Sequence, residues 1–284
     1  MRWTPGGRSD NLEDRRDEGG GGGFGGLPRV GLGGIVVLLV LSVIFRRDLV
    51  TPFLSGGGAD RPNPESTAEA NAADEPVVQF VSFVLDDAQA TWTKILPTMG
   101  KEYQPAKLVL FRDAINSACG FAQAATGPFY CPLDQRVYID LGFYQELKDR
   151  FGAPGDFAQA YVLAHEIGHH VQNLLGTDQE MRREQQARPD EANELSVKLE
   201  LQADCYAGVW GHATEQRNLL DPGDVEEGIQ AAAAVGDDRI QKMATGHINP
   251  DGFTHGTSEQ RVAWFRRGFD GGRPDACNTF DSSR

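Results

Sequence analysis

Apolar residues recur at helical spacing in several stretches of the chain. Residues 77–96, VVQFVSFVLDDAQATWTKIL, place large apolar side chains on one face and end before Pro97, which predicts a helix with an aromatic stripe in the core. A second such helix starts near Phe157, after Asp156 as N-cap, and ends at Gly176 as C-cap. The other predicted helices cover about residues 143–151, 191–215, 224–245 and 258–269.

Two short stretches rich in β-forming residues predict strands. They are residues 107–112, KLVLFR, and residues 136–141, RVYIDL. Residues 127–130 form a loop that returns toward the sheet, and the polar residues 182–193 are interpreted as an exposed connection. Together these elements predict an α+β, mainly helical domain with a small β-sheet.

The beginning of the chain has a different pattern. Residues 1–29 hold a glycine run and mixed charges with few large apolar side chains, which predicts a disordered tail. Residues 30–45, VGLGGIVVLLVLSVIF, carry no charge, and residues 46–75 have the composition of a flexible linker. The folded domain is therefore expected over residues 76–284.

Residues 30–45 have three competing interpretations: a transmembrane anchor, a cleaved signal peptide and a buried core helix. No small-residue cleavage site follows the segment, and the stretches on both sides offer nothing to bury it. A single transmembrane helix is therefore the favoured prediction. Arginines flank it on both sides, so the positive-inside rule does not decide its orientation.

The four cysteines bear on that orientation. Cys119 and Cys131 bracket a short loop with glycine and proline, so among the possible pairings we predict Cys119–Cys131 and Cys205–Cys277. Disulfides persist in oxidising compartments, which favours an extracytoplasmic domain anchored in the cell membrane. Four reduced, buried thiols in a cytoplasmic protein are the alternative.

Composition limits the classes of partner. The chain has 40% apolar and 24% charged residues, typical of a folded protein, and a net charge of −14 without a basic stripe. A nucleic-acid partner is therefore not expected. The acidic surface favours solubility and does not identify a substrate.

The helix that starts near Phe157 carries the candidate chemistry. His165 and His169 are four residues apart, so both imidazoles project from one face, and Glu166 follows the first of them. In this His-Glu-x-x-His pattern two neutral imidazoles hold Zn²⁺ and the glutamate takes a proton from the water that the ion activates. The pattern also arises by chance, but the apolar residues at helical spacing around it favour a metal site.

A catalytic zinc site needs a third protein ligand and an open position for water. Glu200 is the best candidate, and Asp204 lies one turn further along the same helix, where it can accept a hydrogen bond from a ligating histidine. Two acids at this spacing are usually a solvated helix face. Here they lie near Tyr206 and Trp210, where unpaired carboxylates would be costly.

The other histidines are weaker candidates. His170 points about 100° away from His169 around the helix, so we interpret it as a packing residue or as support for the site. His212 is interpreted as structural, whereas His247 and His255 stay open.

Four segments together resemble the bacterial neutral zinc metallopeptidase family of the YpfJ type: HEIGHHVQ, LELQADCYAGVW, GPFYCPLDQRVYIDLGF and FTHGTSEQRVAWFRRGF. The resemblance covers about residues 76–284. More widely, His-Glu-x-x-His followed by Glu-x-x-x-Asp is similar to the gluzincin class, which includes thermolysin and the membrane prenyl-protein and heat-shock proteases. Those membrane proteases carry a histidine with an arginine six residues later, a spacing that His255 and Arg261 share.

The resemblance implies a minimal zincin-like metalloprotease domain and a role for each matching residue. The implied roles are zinc ligands for His165, His169 and Glu200, general base for Glu166, support of the ligands for Asp204, and contact with the substrate carbonyl for His255 and Arg261. This chain has Gly256 where those membrane proteases have proline. A turn residue bonded to the backbone is the alternative interpretation of His255.

The expected function is a membrane-anchored zinc endopeptidase that acts on a peptide or protein. An extended substrate would pair with residues 136–141 or with the 127–130 segment. The alternative is a zinc-containing module that binds a partner at the membrane surface without hydrolysis. Glu166 argues against it, because a structural zinc site needs no base and usually closes with a fourth protein ligand.

Overall fold

The computed structural model describes residues 1–18, 64–123 and 127–280 of the 284-residue chain. The helices in these residues are α1 (Pro64–Ala73), α2 (Glu75–Ile95), α3 (Gly142–Asp149), α4 (Asp156–Leu175), α5 (Thr177–Ala187), α6 (Ala192–Gln216), α7 (Asp224–Ala234), α8 (Asp237–Thr245) and α9 (Ser258–Gly271). The strands are β1 (Leu12–Asp14), β2 (Lys107–Phe111), β3 (Ala114–Ser117), β4 (Gly120–Gln123), β5 (Phe129–Cys131) and β6 (Arg136–Asp140). The prediction of an α+β, mainly helical fold with small sheets is confirmed.

Strands β1, β2, β6 and β5 lie in this order in one sheet. β2 pairs in parallel with both β1 and β6, whereas β5 joins β6 antiparallel and lies at the edge. The residues of β2 and β6 are almost continuously buried, as expected for strands covered on both faces. β3 and β4 form a separate hairpin.

The main core joins the sheet to helices α2, α4, α6 and α9. Trp92 of α2, Phe157 of α4 and Trp210 of α6 are fully buried, and the rings of Phe157 and Trp210 stack with centroids 5.6 Å apart. The aromatic stripe of the predicted helix over residues 77–96 thus faces the core, as expected.

Helix α4 begins one residue earlier than predicted. Gly155 is the N-cap, and Asp156 lies in the first turn, where its negative charge is favourable at a helix N-terminus. The carboxylate of Glu227 lies over Gly155 and accepts the N–H of Phe157 at 3.2 Å, so a side chain at Gly155 would displace this contact. Gly176 ends the helix in the left-handed conformation, with φ 87°, as predicted.

The helix predicted over residues 224–245 is two helices. Gly236 is extended, with φ −71° and ψ 141°, and separates α7 from α8. A side chain at Gly236 would collide with Ser258 at the start of α9. The break places Asp237 at the start of α8, beside the turn that precedes α9.

The polar residues 182–193 are largely helical, which differs from the predicted exposed connection. They belong to α5 and α6, joined by a short 3₁₀ turn. Asp178 pairs with Arg182 within α5, and Glu184 pairs with Arg188, the C-cap residue of this helix, each across one helical turn. A polar stretch is therefore compatible with a helix when its charges pair within it.

Residues 1–18 belong to the fold, so the prediction of disorder is wrong for this part of the tail. Leu12 pairs with Leu108, which adds β1 to the sheet as a parallel strand. The ring of Trp3 packs edge-on against Phe80 of α2, with centroids 5.4 Å apart. These partners are remote in sequence, so the local shortage of apolar residues does not reveal them.

The predicted anchor, residues 30–45, lies outside the described residues, as does the predicted linker before Pro64. From Pro64 onward that linker forms α1, which differs from the flexible segment expected. No helix in the described part of the chain is long and apolar enough to cross a bilayer.

The sheet joins residues from before and after the predicted anchor. β1 precedes residues 30–45 and β2 follows them, yet the two strands pair directly. The described residues before and after the predicted anchor therefore contribute to one sheet. The single-pass arrangement stays a prediction, because residues 30–45 lie outside the described residues.

Both predicted disulfides are confirmed. Cys119–Cys131 links the turn of the β3–β4 hairpin to β5. Cys205–Cys277 links α6 to the last described turn of the chain, so the tail is tied to this helix as expected.

Candidate metal centre

Helices α4 and α6 approach each other closely where the candidate ligands lie. A Cβ atom on Gly168 of α4 would lie 2.9 Å from the carbonyl oxygen of Ala203 in α6 and 3.1 Å from its Cα, so glycine is required for this contact. Gly168 precedes His169, and Ala203 precedes Asp204. The contact therefore brings the histidines of α4 against the acids of α6.

Three potential ligand atoms converge at this contact. Nε2 of His165 lies 3.1 Å from Nε2 of His169 and 3.1 Å from Oε2 of Glu200. Nε2 of His169 lies 3.4 Å from Oε1 of Glu200. The structure thus brings together the three side chains that the sequence nominates as metal ligands.

Asp204 holds the outer side of His165. Oδ1 of Asp204 lies 2.8 Å from Nδ1 of His165 and also accepts the hydroxyl proton of Tyr161 at 2.5 Å. The guanidinium of Arg261 donates to both oxygens of Asp204 at 2.8 Å. Because the carboxylate is the acceptor, Nδ1 of His165 donates, and in the neutral ring Nε2 then presents its lone pair to the other ligand atoms.

Gln172 holds His169 in the same way. Its Oε1 lies 2.8 Å from Nδ1 of His169, and its amide nitrogen donates to the carbonyl oxygen of Leu199 at 2.7 Å. Nδ1 of His169 therefore donates to the amide oxygen, and Nε2 again presents a lone pair. In both histidines the bond at Nδ1 thus leaves Nε2 as the nitrogen available to a metal ion.

This set of ligand atoms fits Zn²⁺. A tetrahedral ion with ligands at about 2.0–2.1 Å has ligand atoms roughly 3.3 Å apart, and the separations here run from 3.1 to 3.4 Å. Lone pairs directed at one point favour a cation between them. Two imidazoles and one carboxylate are the ligands of several catalytic zinc sites, in which a fourth position takes water.

Glu166 lies beside the ligand atoms, buried in the wall of the same cleft. Burial raises the pKa of its carboxyl group, although the neighbouring imidazoles oppose this rise. Burial would also raise the pKa of Glu200, but His169 and His165 outweigh it and hold that pKa well below its usual range. The two carboxyl groups therefore differ in proton affinity, with Glu200 ionised and Glu166 suited to proton transfer.

Arg261 lines the same cleft, and its guanidinium is bonded to Asp204; its expected contact with the substrate carbonyl stays a prediction. Its side chain is 4% exposed, and its nitrogen atoms donate to Asp204 and to the carbonyl oxygen of Val235. A side chain at Gly268 of α9 would collide with the carbonyl oxygen of Cys205, so α9 packs directly on α6. This close packing places Arg261 at the depth of Asp204, where it orients that carboxylate.

His255 lines the cleft with its side chain half exposed. Oδ2 of Asp237 accepts the backbone N–H groups of Thr254, His255 and Gly256, and Oδ1 lies 3.2 Å from Nδ1 of His255. Burial would lower the pKa of His255, but Asp237 and Glu200 outweigh it and raise the pKa. The residue is thus part of a bonded turn and also presents a cationic donor to the cleft.

Sequence reasoning missed three side chains that support the site. Tyr161 lies one turn before His165, and Gln172 lies one turn after His169, so the helical spacing that identifies the histidines also identifies these two. Asp237 has no such signal, because it is remote from its partner in the sequence and reaches it through the break between α7 and α8.

The remaining histidines lie apart from the three ligand atoms. His170 is fully buried and bonds to the hydroxyl of Tyr130 at 2.9 Å, which ties α4 to the edge strand β5. His212 bonds to the carbonyl oxygen of Phe269 at 2.6 Å. His247 is exposed in the turn after α8 and does not line the cleft.

The ligand cluster opens into a cleft of about 1100 Å³. Residues of β5, α3, α5 and α8 contribute to its walls. Its large apolar side chains include Phe129, Phe143, Phe151, Ile240 and Met243. Its volume is near the upper end of the range typical of ligand-binding clefts.

The family model described as "Putative neutral zinc metallopeptidase" matches residues 1–280. The chain is 48% identical over 290 residues to "Uncharacterized protein YpfJ" of Escherichia coli K12, with all of both chains covered. It is 42% identical over 209 residues to "Uncharacterized protein Rv2575" of Mycobacterium tuberculosis H37Rv, which covers 70% of this chain and 69% of that protein. No solved structure matches the chain.

Proposed function

The chain belongs to the neutral zinc metallopeptidase family, as its sequence segments predict, and we propose that it is a zinc-dependent endopeptidase with Glu166 as general base. One observation carries this proposal. Nε2 of His165, Nε2 of His169 and the carboxylate of Glu200 converge next to Glu166 in an open cleft. This arrangement provides a metal site, a base and room for a substrate at one point.

The proposed reaction depends on the position and proton affinity of Glu166. When bound by the three ligand side chains, Zn²⁺ supplies Lewis acidity toward a water molecule and a peptide carbonyl. Glu166 accepts a proton from the attacking water and then delivers it to the amide nitrogen as the C–N bond breaks. Its raised pKa suits a group that must both take and return a proton.

His255 is proposed to stabilise the negative charge that develops on the carbonyl oxygen. Asp237 keeps its imidazole protonated and fixes the turn that presents it. Arg261 acts through Asp204, because its bonds to Asp204 hold the carboxylate that orients His165. The two residues implied by the resemblance are therefore given different roles.

The edge strand β5 is proposed to hold the substrate backbone. β6, the other candidate from the sequence, pairs with β2 on one side and with β5 on the other. Within the described sheet it therefore has no free edge for a substrate strand. Residues 127–130, at the start of β5, line the cleft. An extended peptide paired with this segment would run past the ligand cluster.

The same geometry weighs against a zinc module without hydrolytic activity. A structural zinc site closes with a fourth protein ligand. Among the residues that the structure describes, the group of potential ligands contains only His165, His169 and Glu200. An incomplete protein shell next to a buried carboxyl group favours catalysis.

Replacing Glu166 with Gln tests the proposal. We expect the variant to retain zinc and to lose cleavage of a mixed peptide library, since the amide cannot accept the proton from water. Zinc content is measured by elemental analysis, and cleavage by mass spectrometry of the library. Glu259→Gln, an exposed position on α9, is the matched control. Full cleavage by the Glu166→Gln variant, or an intact library with zinc-loaded wild-type protein, would contradict the proposal.

We also propose an extracytoplasmic location, supported by the two disulfides. If residues 30–45 attach the protein to a membrane, residues 1–18 and 64–280 lie together on its outer side. The test labels Asp10→Cys and Asp251→Cys, both exposed, in intact cells with a thiol reagent that does not cross membranes. We expect both positions to react. Labelling of only one position would contradict the proposal that residues 1–18 and 64–280 lie on the same side of the membrane.

A further inference from the structure

We propose that the C-terminal segment tied down by the Cys205–Cys277 disulfide holds His169 in its metal-binding orientation through two buried glutamines, Gln172 and Gln202. The contacts form one chain. His169 Nδ1 bonds to Gln172, Gln172 bonds to Gln202, and Gln202 bonds to the carbonyl oxygen of Cys277. The proposal rests on the metal centre of the proposed function and does not require peptidase activity.

The direction of the hydrogen bonds in this chain can be followed from the carbonyl oxygen of Cys277, at its end. The carbonyl of Cys277 can only accept, so the amide nitrogen of Gln202 donates to it at 3.0 Å. The amide oxygen of Gln202 then accepts from Gln172 at 3.1 Å. With its nitrogen used as donor, Gln172 offers its oxygen to Nδ1 of His169 at 2.8 Å. The backbone of the tail thus sets the orientation of Gln202, and Gln202 together with the carbonyl of Leu199 directs the oxygen of Gln172 at Nδ1 of His169.

Burial makes this chain of contacts obligatory. Gln172 and Cys277 are fully buried, and Gln202 is 5% exposed. A buried amide that loses its partner has no water to replace it, so the loss is destabilising. Each amide therefore has one favourable orientation, which the carbonyl groups of Cys277 and Leu199 select together.

Gln172 also connects the two helices that supply the ligands. Its amide nitrogen donates to the carbonyl oxygen of Leu199 at 2.7 Å, and Leu199 immediately precedes Glu200 on α6. Gln172 thus fixes the ring of His169 and the backbone beside Glu200 at the same time. Its loss should therefore have a larger effect on metal binding than the loss of Gln202.

The disulfide fixes the carbonyl of Cys277 in place. Cys205 lies on α6 one turn after Gln202, and Cys277 is the last residue of the turn over Pro274–Cys277. Thr279 adds a second contact, because its hydroxyl donates to the carbonyl oxygen of Lys198 at 2.6 Å. Reduction of the disulfide should release the carbonyl from Gln202 and weaken the support of His169, so metal affinity should depend on redox state.

The first test measures zinc affinity of the full chain by competition with a chelator. We expect Gln172→Leu to bind zinc about 10- to 100-fold more weakly and Gln202→Leu about tenfold more weakly, as for other residues that support metal ligands. Gln89→Leu, which replaces a buried glutamine of α2, is the control and should bind zinc as wild type. The isosteric Gln202→Glu keeps the size of the side chain but cannot donate to Cys277, so it separates the contact from packing.

The second test asks whether the disulfide acts through Gln202. We expect the double replacement Cys205→Ser with Cys277→Ser to weaken zinc binding several-fold in wild type. In the Gln202→Glu background it should cause no further loss. Additive losses, or wild-type affinity in folded Gln172→Leu protein, would overturn the proposal.

A spectroscopic readout separates support of the ligand from general stability. In zinc-loaded wild-type protein the Nδ1 proton of His169 should give a slowly exchanging ¹H–¹⁵N signal, because a buried acceptor holds it. That signal should disappear in Gln172→Leu and persist in Gln89→Leu. A persistent signal in Gln172→Leu would contradict the proposed contact even if that variant is less stable. These readouts do not depend on whether Glu166 acts as a base.

Discussion

Helix α4 contributes to two clusters of potential metal ligands. The histidine cluster consists of His165, His169 and Glu200, and the acidic cluster consists of Asp156, Asp224 and Glu227. In both clusters the ligand atoms lie within 4.8 Å of one another. Proximity therefore does not distinguish them.

The clusters differ in the direction of their hydrogen bonds. In the acidic cluster both oxygens of Asp156 accept from the ammonium group of Met1, at 2.7 and 2.8 Å, and Oδ2 of Asp224 accepts from the N–H of Asp221 at 2.7 Å. These oxygens already surround a cation of the protein. In the histidine cluster the hydrogen bonds occupy the outer nitrogen atoms and leave the inner lone pairs free. A metal site thus requires side chains whose hydrogen bonds are made by the atoms that face away from the ion.

The largest expected effect is the loss of metal from one cluster and not the other. Glu200→Gln removes the anionic ligand, so we expect zinc affinity to fall by more than the roughly 100-fold typical of residues that only support ligands. Asp224→Asn should retain one zinc per chain. Elemental analysis after gel filtration measures both. Zinc retained by Glu200→Gln and lost by Asp224→Asn would reverse the assignment of the two clusters.

A smaller effect is expected from the contact that holds α4 against α6. Gly168→Ala places a Cβ atom 2.9 Å from the carbonyl oxygen of Ala203, so the helices must move apart. We expect the free energy of unfolding to fall by about 1–3 kcal/mol, as in other overpacked cores, together with weaker zinc binding. Urea denaturation with and without zinc measures both effects.

Gly271→Ala is the control for this substitution. Gly271 ends α9, and an added Cβ atom there would have no neighbour within 4 Å. We expect no loss of stability in this variant. Equal losses in Gly168→Ala and Gly271→Ala would show that the contact with Ala203 is not the cause.

The pH dependence of hydrolysis tests the contact between Asp237 and His255. Asp237 raises the pKa of His255, so the protonated imidazole is present below that pKa and is lost as the pH rises through it. Asp237→Asn removes this effect, so the alkaline limb of activity should move to lower pH. Rates of peptide cleavage across the pH range measure the shift. An unchanged alkaline limb would exclude His255 as the titrating group.

The smallest expected effect concerns the acidic cluster itself. Asp224→Asn weakens the pair with the Met1 ammonium and should cost about 1 kcal/mol of stability. Burial would lower the pKa of this ammonium, but Asp156 and Asp224 outweigh it and raise the pKa above its usual value of 8.0. The contribution is therefore fully present below pH 8 and is lost as the pH rises through the raised pKa. Denaturation of both proteins at several pH values should show the difference shrinking at alkaline pH.

The histidine cluster could be predicted from the sequence because its main signals are local. His165 and His169 are related by one helical turn, and Glu200 and Asp204 by another. The pairing of the two helices was inferred from chemistry rather than spacing. The contact that produces it, Gly168 against Ala203, has no signature in either helix alone.

The parts that could not be predicted depend on distant partners. The position of Arg261 follows from the packing of α9 on α6, and β1 finds its partner far along the chain. Helix α5 was missed for a different reason, because its polar residues stabilise it through pairs within the helix. Helices α2 and α4, which carry strong apolar periodicity, were predicted closely.

The pairing of β1 with β2 has a consequence for the order of synthesis. Leu12 leaves the ribosome about a hundred residues before Leu108, its partner in the sheet, which at typical rates of translation is a delay of roughly 5–20 s. During this interval the first segment has no edge to pair with. Residues 1–18 are therefore made first and packed late, so the N-terminal strand completes the sheet only after β2 has been made.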